Sequence, residues 1–293
     1  MLYELWRQVA TDRHHQFALH DAATGRRWTF GELFAAGESA PVNPAAHSHG
    51  MVFPQGHAPE FLFTLLGGWR EGRIVCPLEA GQLPPTLPPP PAPCVHLKMT
   101  SATTGAARVV AFTAEQLAAD AANIVATMGL RAEWPNLGVI SMAHSYGFSN
   151  LVLPLLLHGI PLVLCPAPLP ESVRRAATGF AALTLPAVPA MWRAWFDAQS
   201  IPANVQLAIS AGAPLLAAFE QEVFARRALK LHNFYGASEC GGIAYDASET
   251  PRKHDAFIGA PMRGVSLSLN QDGRLEVRSR AVAETYWPEP STD

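Results

Sequence analysis

Apolar positions along this chain follow two rhythms. Short apolar runs predict strands at Arg108 to Phe112, Leu137 to Ser141, Leu162 to Cys165, Ala182 to Leu185, Val205 to Ser210 and Leu231 to Tyr235. Between most of them the period lengthens to that of a helix. Thr113 with Gln116 three residues on forms a capping box, Leu117, Ala121, Ile124 and Met128 share one helical face, and Gly129 stands at the C-terminal stop. Strands alternating with helices imply an α/β fold, a largely parallel sheet covered by helices on both faces. In such sheets ligands bind beyond the carboxyl ends of the strands.

Upstream, Gly50 to Phe53, an apolar helix around Phe61 to Trp69, and Ile74 to Cys76 predict a compact β-α-β unit. The run Leu83 to Cys94 holds seven prolines. With few backbone N–H donors left, it reads as an extended, polyproline-like connector. From Ile258 the period falls to two: Val265, Leu267 and Leu269 alternate with serines, Asn270 to Gly273 turns the chain, and Leu275 and Val277 return it. The expected organisation is an N-terminal α/β subdomain over 1–82, the connector over 83–94, a second α/β subdomain over 95–256, and a small antiparallel β region over 257–293.

The apolar run Leu151 to Leu169 is interrupted by Pro154, His158, Gly159, Pro161, Pro166 and Pro168. Inside lipid those breaks would leave backbone groups unpaired, so a buried helix ending at Gly159 and a strand after it are expected, with no membrane span. Glu4, Arg7 and Asp12 break up any signal-peptide core. Hydrophobic residues make up 49% of the 293 and charged residues 15%, enough for a sizeable core. A net charge of −3 without a basic stripe argues against nucleic acid as a partner. Cys76, Cys94, Cys165 and Cys240 lack C-x-x-C spacing and read as free thiols of a reducing, cytoplasmic setting rather than disulfides or metal ligands. Neither His14 and His15 nor His47 and His49 have paired ligand spacing, and both pairs read as solvated.

The chemistry concentrates in Met99-Thr100-Ser101-Ala102-Thr103-Thr104-Gly105-Ala106-Ala107-Arg108. Hydroxyls and free N–H groups converging at one turn cradle phosphate oxygens, although a solvated loop has the same composition. No G-x-x-x-x-G-K-[ST] occurs. The segment instead resembles the T-S-G-T-T-G-x-P-K phosphate loop of the adenylate-forming (AMP-binding) superfamily, acyl-CoA and aryl-CoA ligases and their relatives. Further segments follow in that family's order. Trp28 to Leu33 is similar to T-Y-x-E-L, Ala143 to Gly147 to P-x-x-H-x-x-G, Ser210 to Leu215 to S-G-G-A-P-L, Asn233 to Glu239 to N-x-Y-G-x-T-E, Ile258 to Pro261 to V-G-x-P, and Gly273 to Arg278 to G-E-L-x-V-R. This colinearity over nearly the whole chain is more specific than any one motif.

The resemblance implies ATP-dependent activation of a carboxylic acid to an acyl-adenylate, then a thioester on CoA or on the phosphopantetheine of an acyl carrier protein. It implies that Thr100, Ser101, Thr103, Thr104 and Gly105 wrap the β- and γ-phosphates, with Arg108 in place of the usual lysine. Glu239 would hold Mg²⁺ and Ser238 would donate to the α-phosphate. Adenine would lie between Gly212-Ala213-Pro214 and Tyr235, beside Gly236, with Asn233 facing its amino group. His144, Phe148, Val188, Pro189, Ala211, Gly236 and Gly241 would wall an apolar acid pocket suited to an aryl or aliphatic acid, and His144 is also the catalytic histidine candidate. Read without the resemblance, Glu239 is equally a surface carboxylate, Tyr235 a core aromatic and His144 a satisfied core histidine.

The chain departs from the family's pattern at several points. Ala102 stands at a usual glycine, Ala107 at a usual proline, and the link from Pro77 to the phosphate loop is short. Ser291-Thr292-Asp293 follows Trp287 too soon to be the family's T-G-D ribose motif, and the family's small mobile domain with its catalytic lysine is expected to be absent. The expectation is therefore a large N-terminal portion that binds ATP weakly, adenylates slowly and makes no thioester without a second polypeptide. The alternative is a catalytically silent nucleotide- or acyl-binding module, or a truncated enzyme needing a partner chain.

Overall fold

Local chemistry sets the ends of the early elements. In a computed structural model describing residues 1–42, 50–88, 90, 92–99, 109–283 and 285–287, helix α1 (Leu2–Asp12) leads into strands β1 (Phe17–Asp21) and β2 (Arg27–Thr29). Helix α2 (Phe30–Ser39) starts from a complete capping box: Glu32 N–H donates to Thr29 Oγ1 and Thr29 N–H to Glu32 Oε2. Helix α3 (Pro59–Arg70) begins with proline, whose missing N–H costs nothing at a first turn. It sits between Val52 and Val75, which pair in parallel as the β-α-β reading expected. Val75 also bridges His96, bringing this unit against strands β3 (His96–Met99) and β4 (Val109–Phe112).

Helix α4 (Ala114–Met128) carries the second capping box, Thr113 with Gln116, and ends at Gly129 with φ 66°. Strand β5 (Asn136–Gly138) is shorter than its apolar run. The run Leu151 to Leu169 folds as the sequence indicates: a short turn α5 (Ser145–Gly147), a π-helical turn Phe148–Val152, helix α6 (Leu153–His158), then strand β6 (Leu162–Leu164). Helices α7 (Pro170–Ala177), α8 (Pro189–Asp197) and α9 (Ala217–Arg227) alternate with strands β7 (Leu183–Ala187), β8 (Val205–Ser210) and β9 (Leu231–Ala237). Strands β10 (Gly241–Tyr245), β11 (Ala260–Pro261), β12 (Val265–Leu269), β13 (Leu275–Ser279) and β14 (Thr285–Trp287) follow. Among the described residues no helix is long and apolar enough to cross a membrane.

Nine strands form the main sheet, in the order β11-β10-β9-β8-β7-β5-β6-β1-β2. From β9 to β1 every neighbour is parallel, and antiparallel strands finish both edges. The fold is thus mixed α/β with a large, mostly parallel sheet. β12 and β13 form a two-stranded hairpin around the expected turn, with Leu269 opposite Leu275, and β14-β4-β3 form a third, antiparallel sheet. Strands of the first 82 residues are continuous with those of the later segment, since β1 pairs with β6. Helices α1 to α3 also share one buried apolar core with Leu137, Leu151, Leu185 and Trp192.

Candidate functional site

Parallel strands of matched register bring their carboxyl ends to one edge. Ala187 of β7 lies opposite Ser210 of β8, and Ser210 opposite Asn233 of β9. The segments leaving these strands therefore lie side by side: Val188 and Pro189 after β7, Ala211 to Pro214 after β8, and Tyr235 to Glu239 closing β9. A Cβ built on Gly212 would come 3.3 Å from Val188 Cγ1, which measures how closely two of them approach. Gly212, Ala213 and Pro214 are exposed, as is Tyr235 at 40%, while Ala211 is buried. Asn233 is buried and its amide donates to Ile258 O at 2.9 Å.

The turn Ser238–Cys240 reverses the chain into antiparallel β10, and Gly236 pairs with Gly242 across it. Glu239 is held from two directions. The Tyr286 hydroxyl donates to its Oε1 at 2.8 Å, and the Ala283 N–H to its carbonyl at 2.8 Å. Gly241 has φ +67°, and a Cβ there would lie 2.1 Å from Asp120 Oδ1. An L side chain there would take up a strained left-handed conformation and displace the Asp120 carboxylate.

His144 and Phe148, expected in one wall, differ sharply in exposure. The His144 side chain is 67% exposed, with Nε2 3.2 Å from Glu79 Oε1. The same Glu79 oxygen accepts from Ser141 Oγ at 2.5 Å. Phe148 is fully buried and lies on the His96 ring at 4.3 Å. Between them Tyr146 reaches toward Ala187 O and Ile209 O, each at 3.4 Å. The phosphate-loop candidates Thr100, Ser101, Ala102, Thr103, Thr104, Gly105, Ala107 and Arg108 lie outside the described residues, as do His47, His49 and Ser291 to Asp293. The segment 100–108 joins β3 to β4, whose pairing ends at Met99 opposite Val109.

Beneath this edge is a buried polar cluster that the motifs did not single out. Asp120 on α4 accepts from Gly242 N–H at 3.0 Å and from Ser149 Oγ at 2.6 Å. Lys98 Nζ lies 3.9 Å from Asp120 Oδ2, 3.4 Å from Ser149 Oγ and 4.5 Å from the Phe112 ring centroid. Burial lowers the Lys98 pKa, opposed by the charges of Asp120 and Glu239. Burial, then the Lys98 charge, holds His96 well below its ordinary 6.5. One sequence signal points to the cluster: Asp120 sits on the buried face of α4 between Leu117 and Ala121.

All four cysteines are free thiols, and burial raises each pKa, that of Cys76 to about 12. Among the described residues no three His, Cys, Asp or Glu side chains group as a metal site. Glu239 alone still suits Mg²⁺, which takes one or two carboxylates plus substrate phosphates.

Residues 77–287 match the family model described as AMP-binding enzyme. A comparison with curated proteins returned no match. Among solved structures, the chain superposes on O-succinylbenzoate coenzyme A synthetase (MenE) from Bacillus subtilis in complex with AMP with a TM-score of 0.83 at 17% identity, covering 98% of this chain and 90% of that one. The inhibitor-bound N-terminal domain of FACL13 from Mycobacterium tuberculosis gives 0.82 at 17%, covering 99% and 91%. ATP-bound MatB from Rhodopseudomonas palustris gives 0.80 at 16%, covering 99% and 73%. At these identities the superpositions speak for the fold.

Proposed function

The chain belongs to the AMP-binding enzyme family, and from that premise we propose that it activates a carboxylic acid with ATP. A carboxylate oxygen of the acid attacks the α-phosphorus, the bond to the bridging oxygen breaks, and pyrophosphate leaves with its electron pair. The product is an acyl-adenylate. A thiol, of CoA or of a carrier protein's phosphopantetheine, then displaces AMP to give a thioester.

The convergence of Gly212-Ala213-Pro214, Tyr235 and Glu239 at one sheet edge, inside the matched span, carries this reading. Two anions must meet here, so the protein's task is alignment and supply of hydrogen-bond donors. Tyr235 would stack on adenine against the Gly212 to Pro214 backbone, with Asn233 and Gly236 flanking. Ser238 would donate to the α-phosphate, and Thr100, Ser101, Thr103, Thr104, Gly105 and Arg108 to the outer phosphates. Val188, Pro189 and Ala211 would face the acid, with His144 at the rim. Mg²⁺, when held by Glu239, supplies charge that offsets the phosphates. Free, protonated thiols suit a reducing cytoplasm.

Calorimetric titration with Mg-ATP tests the site. The wild type should bind, and a Glu239→Gln, Tyr235→Ala double variant should not. Equal binding by both, or none by either, sinks the proposal. Exchange of labelled pyrophosphate into ATP across a panel of acids then separates an adenylating enzyme from a silent binding module.

A further inference from the structure

Two residues expected in the wall of the proposed acid pocket each meet a buried polar side chain, which would make the pocket's inner end polar. Phe148 lies against His96, and Gly241 leaves its Cβ space to Asp120. His96 and Lys98 are two apart on β3 and so share one face, the face that meets Phe148 and Ser149. His96 is fully buried, and among the described residues neither ring nitrogen has a hydrogen-bond partner. The Lys98 ammonium carries three donors, yet among the described residues its contacts are a long 3.4 Å approach to Ser149, the face of the Phe112 ring and an Asp120 oxygen at 3.9 Å, beyond hydrogen-bond reach. Protein interiors satisfy nearly all their buried polar groups. Two neighbouring side chains with this much unused capacity fit a group that arrives from outside.

Resting on the adenylation reading above, we propose that this end of the pocket recognises a hydroxyl group carried by the acid away from its carboxylate. The hydroxyl donates to a His96 ring nitrogen and accepts from Lys98. Charge decides against the alternatives. Asp120 already balances Lys98 and Glu239 lies near, so a second carboxylate on the acid adds an uncompensated buried anion. An ammonium group would face Lys98 as a like charge. A hydroxyl is donor and acceptor at once and brings no charge. Burial keeps His96 neutral at pH 7, which leaves one ring nitrogen able to accept.

The test uses acyl-sulfamoyl adenosines, stable mimics of acyl-adenylates, in matched pairs with and without a hydroxyl on a phenyl ring and on a six-carbon chain. AMP is titrated first by calorimetry. The wild type should bind AMP and bind the hydroxylated member of at least one pair about tenfold or more tightly, because a site built to hydrogen-bond a hydroxyl rejects the analogue lacking it. His96→Phe, which keeps the stack on Phe148, should lose that preference and keep AMP binding. AMP binding by the wild type without preference in any pair, or without affinity for any acyl analogue, overturns the hydroxyl inference and leaves nucleotide binding standing. So does a His96→Phe variant that keeps the preference. No binding of AMP or of any analogue overturns the adenylation reading and this inference with it. The wild-type comparison does not depend on a variant folding.

Discussion

The Tyr286 hydroxyl and the Glu239 carboxylate meet at 2.8 Å, joining the strand that pairs with β4 to the turn between β9 and β10. Tyr286 thus fixes one oxygen of the proposed magnesium ligand from a different sheet.

Removing that hydroxyl should weaken metal-nucleotide binding more than folding. Tyr286→Phe keeps the ring and deletes one hydrogen bond to a carboxylate, a change of about 1–2 kcal/mol. Mg-ATP affinity by calorimetry should fall roughly tenfold while the thermal midpoint stays near that of the wild type. Unchanged affinity would show that Glu239 needs no such restraint.

Glu220, in the first turn of α9, should matter for stability. It is fully buried, accepts from Arg252 Nε at 2.7 Å and Arg252 N–H at 2.8 Å, and pairs with Lys230. Lys230 also reaches Asp246 at 2.7 Å. Glu220→Ala leaves two buried cations opposite one carboxylate, so the urea midpoint should drop by the equivalent of about 3–5 kcal/mol. A loss under 1 kcal/mol would contradict the burial of this pair.

Acid should destabilise the fold below the ordinary histidine range. Burial is the first cause lowering the pKa of His20, His57, His96, His158 and His232 from 6.5. As pH falls through 6.5 the unfolded chain takes up protons that the folded chain refuses. The unfolded state then binds more protons, and stability declines with falling pH toward the lowered folded values. Urea midpoints should be lower at about pH 5.5 than at about pH 7.5, and His96→Phe should reduce the difference. A midpoint indifferent to pH over that window refutes the assignment.

Gly241→Ala should cost more than left-handed strain alone. Gly72 has a similar φ, +66°, with nothing within 4 Å of its Cβ position, whereas at Gly241 the Asp120 carboxylate fills that space. Gly72→Ala should cost about 1–2 kcal/mol, and Gly241→Ala visibly more. Equal losses in chemical denaturation would mean that Asp120 moves aside freely.

Much of this architecture was legible because its signals are local. The Thr113–Gln116 capping box, the Gly129 stop, the period-two hairpin from Val265 to Ser279 and the span of β8 all fall where short-range chemistry puts them. Gly212 to Pro214 and Tyr235 to Glu239 could be picked out as motifs, and their adjacency follows from parallel order. What escaped was long-range pairing. Nothing near Leu19 announces Leu162 as its partner, and nothing near Lys98 announces Asp120. A charged residue amid apolar neighbours has no visible counterion until both chain segments are placed. Glu79 beside His144 escaped for the same reason.

The pairing of β1 with β6 also orders events on the ribosome. Leu19 leaves first, yet its parallel neighbour Leu162 follows only after α3, the hairpin of β3 and β4, and α4 have been made. Until then β1 has β2 beside it and a bare edge on the other side, and α1 lacks the packing that α6 brings. Contacts so distant in sequence close late. The nascent chain therefore waits for its middle before its beginning can settle, and β6, buried between β5 and β1, is the strand whose arrival lets the two halves become one sheet.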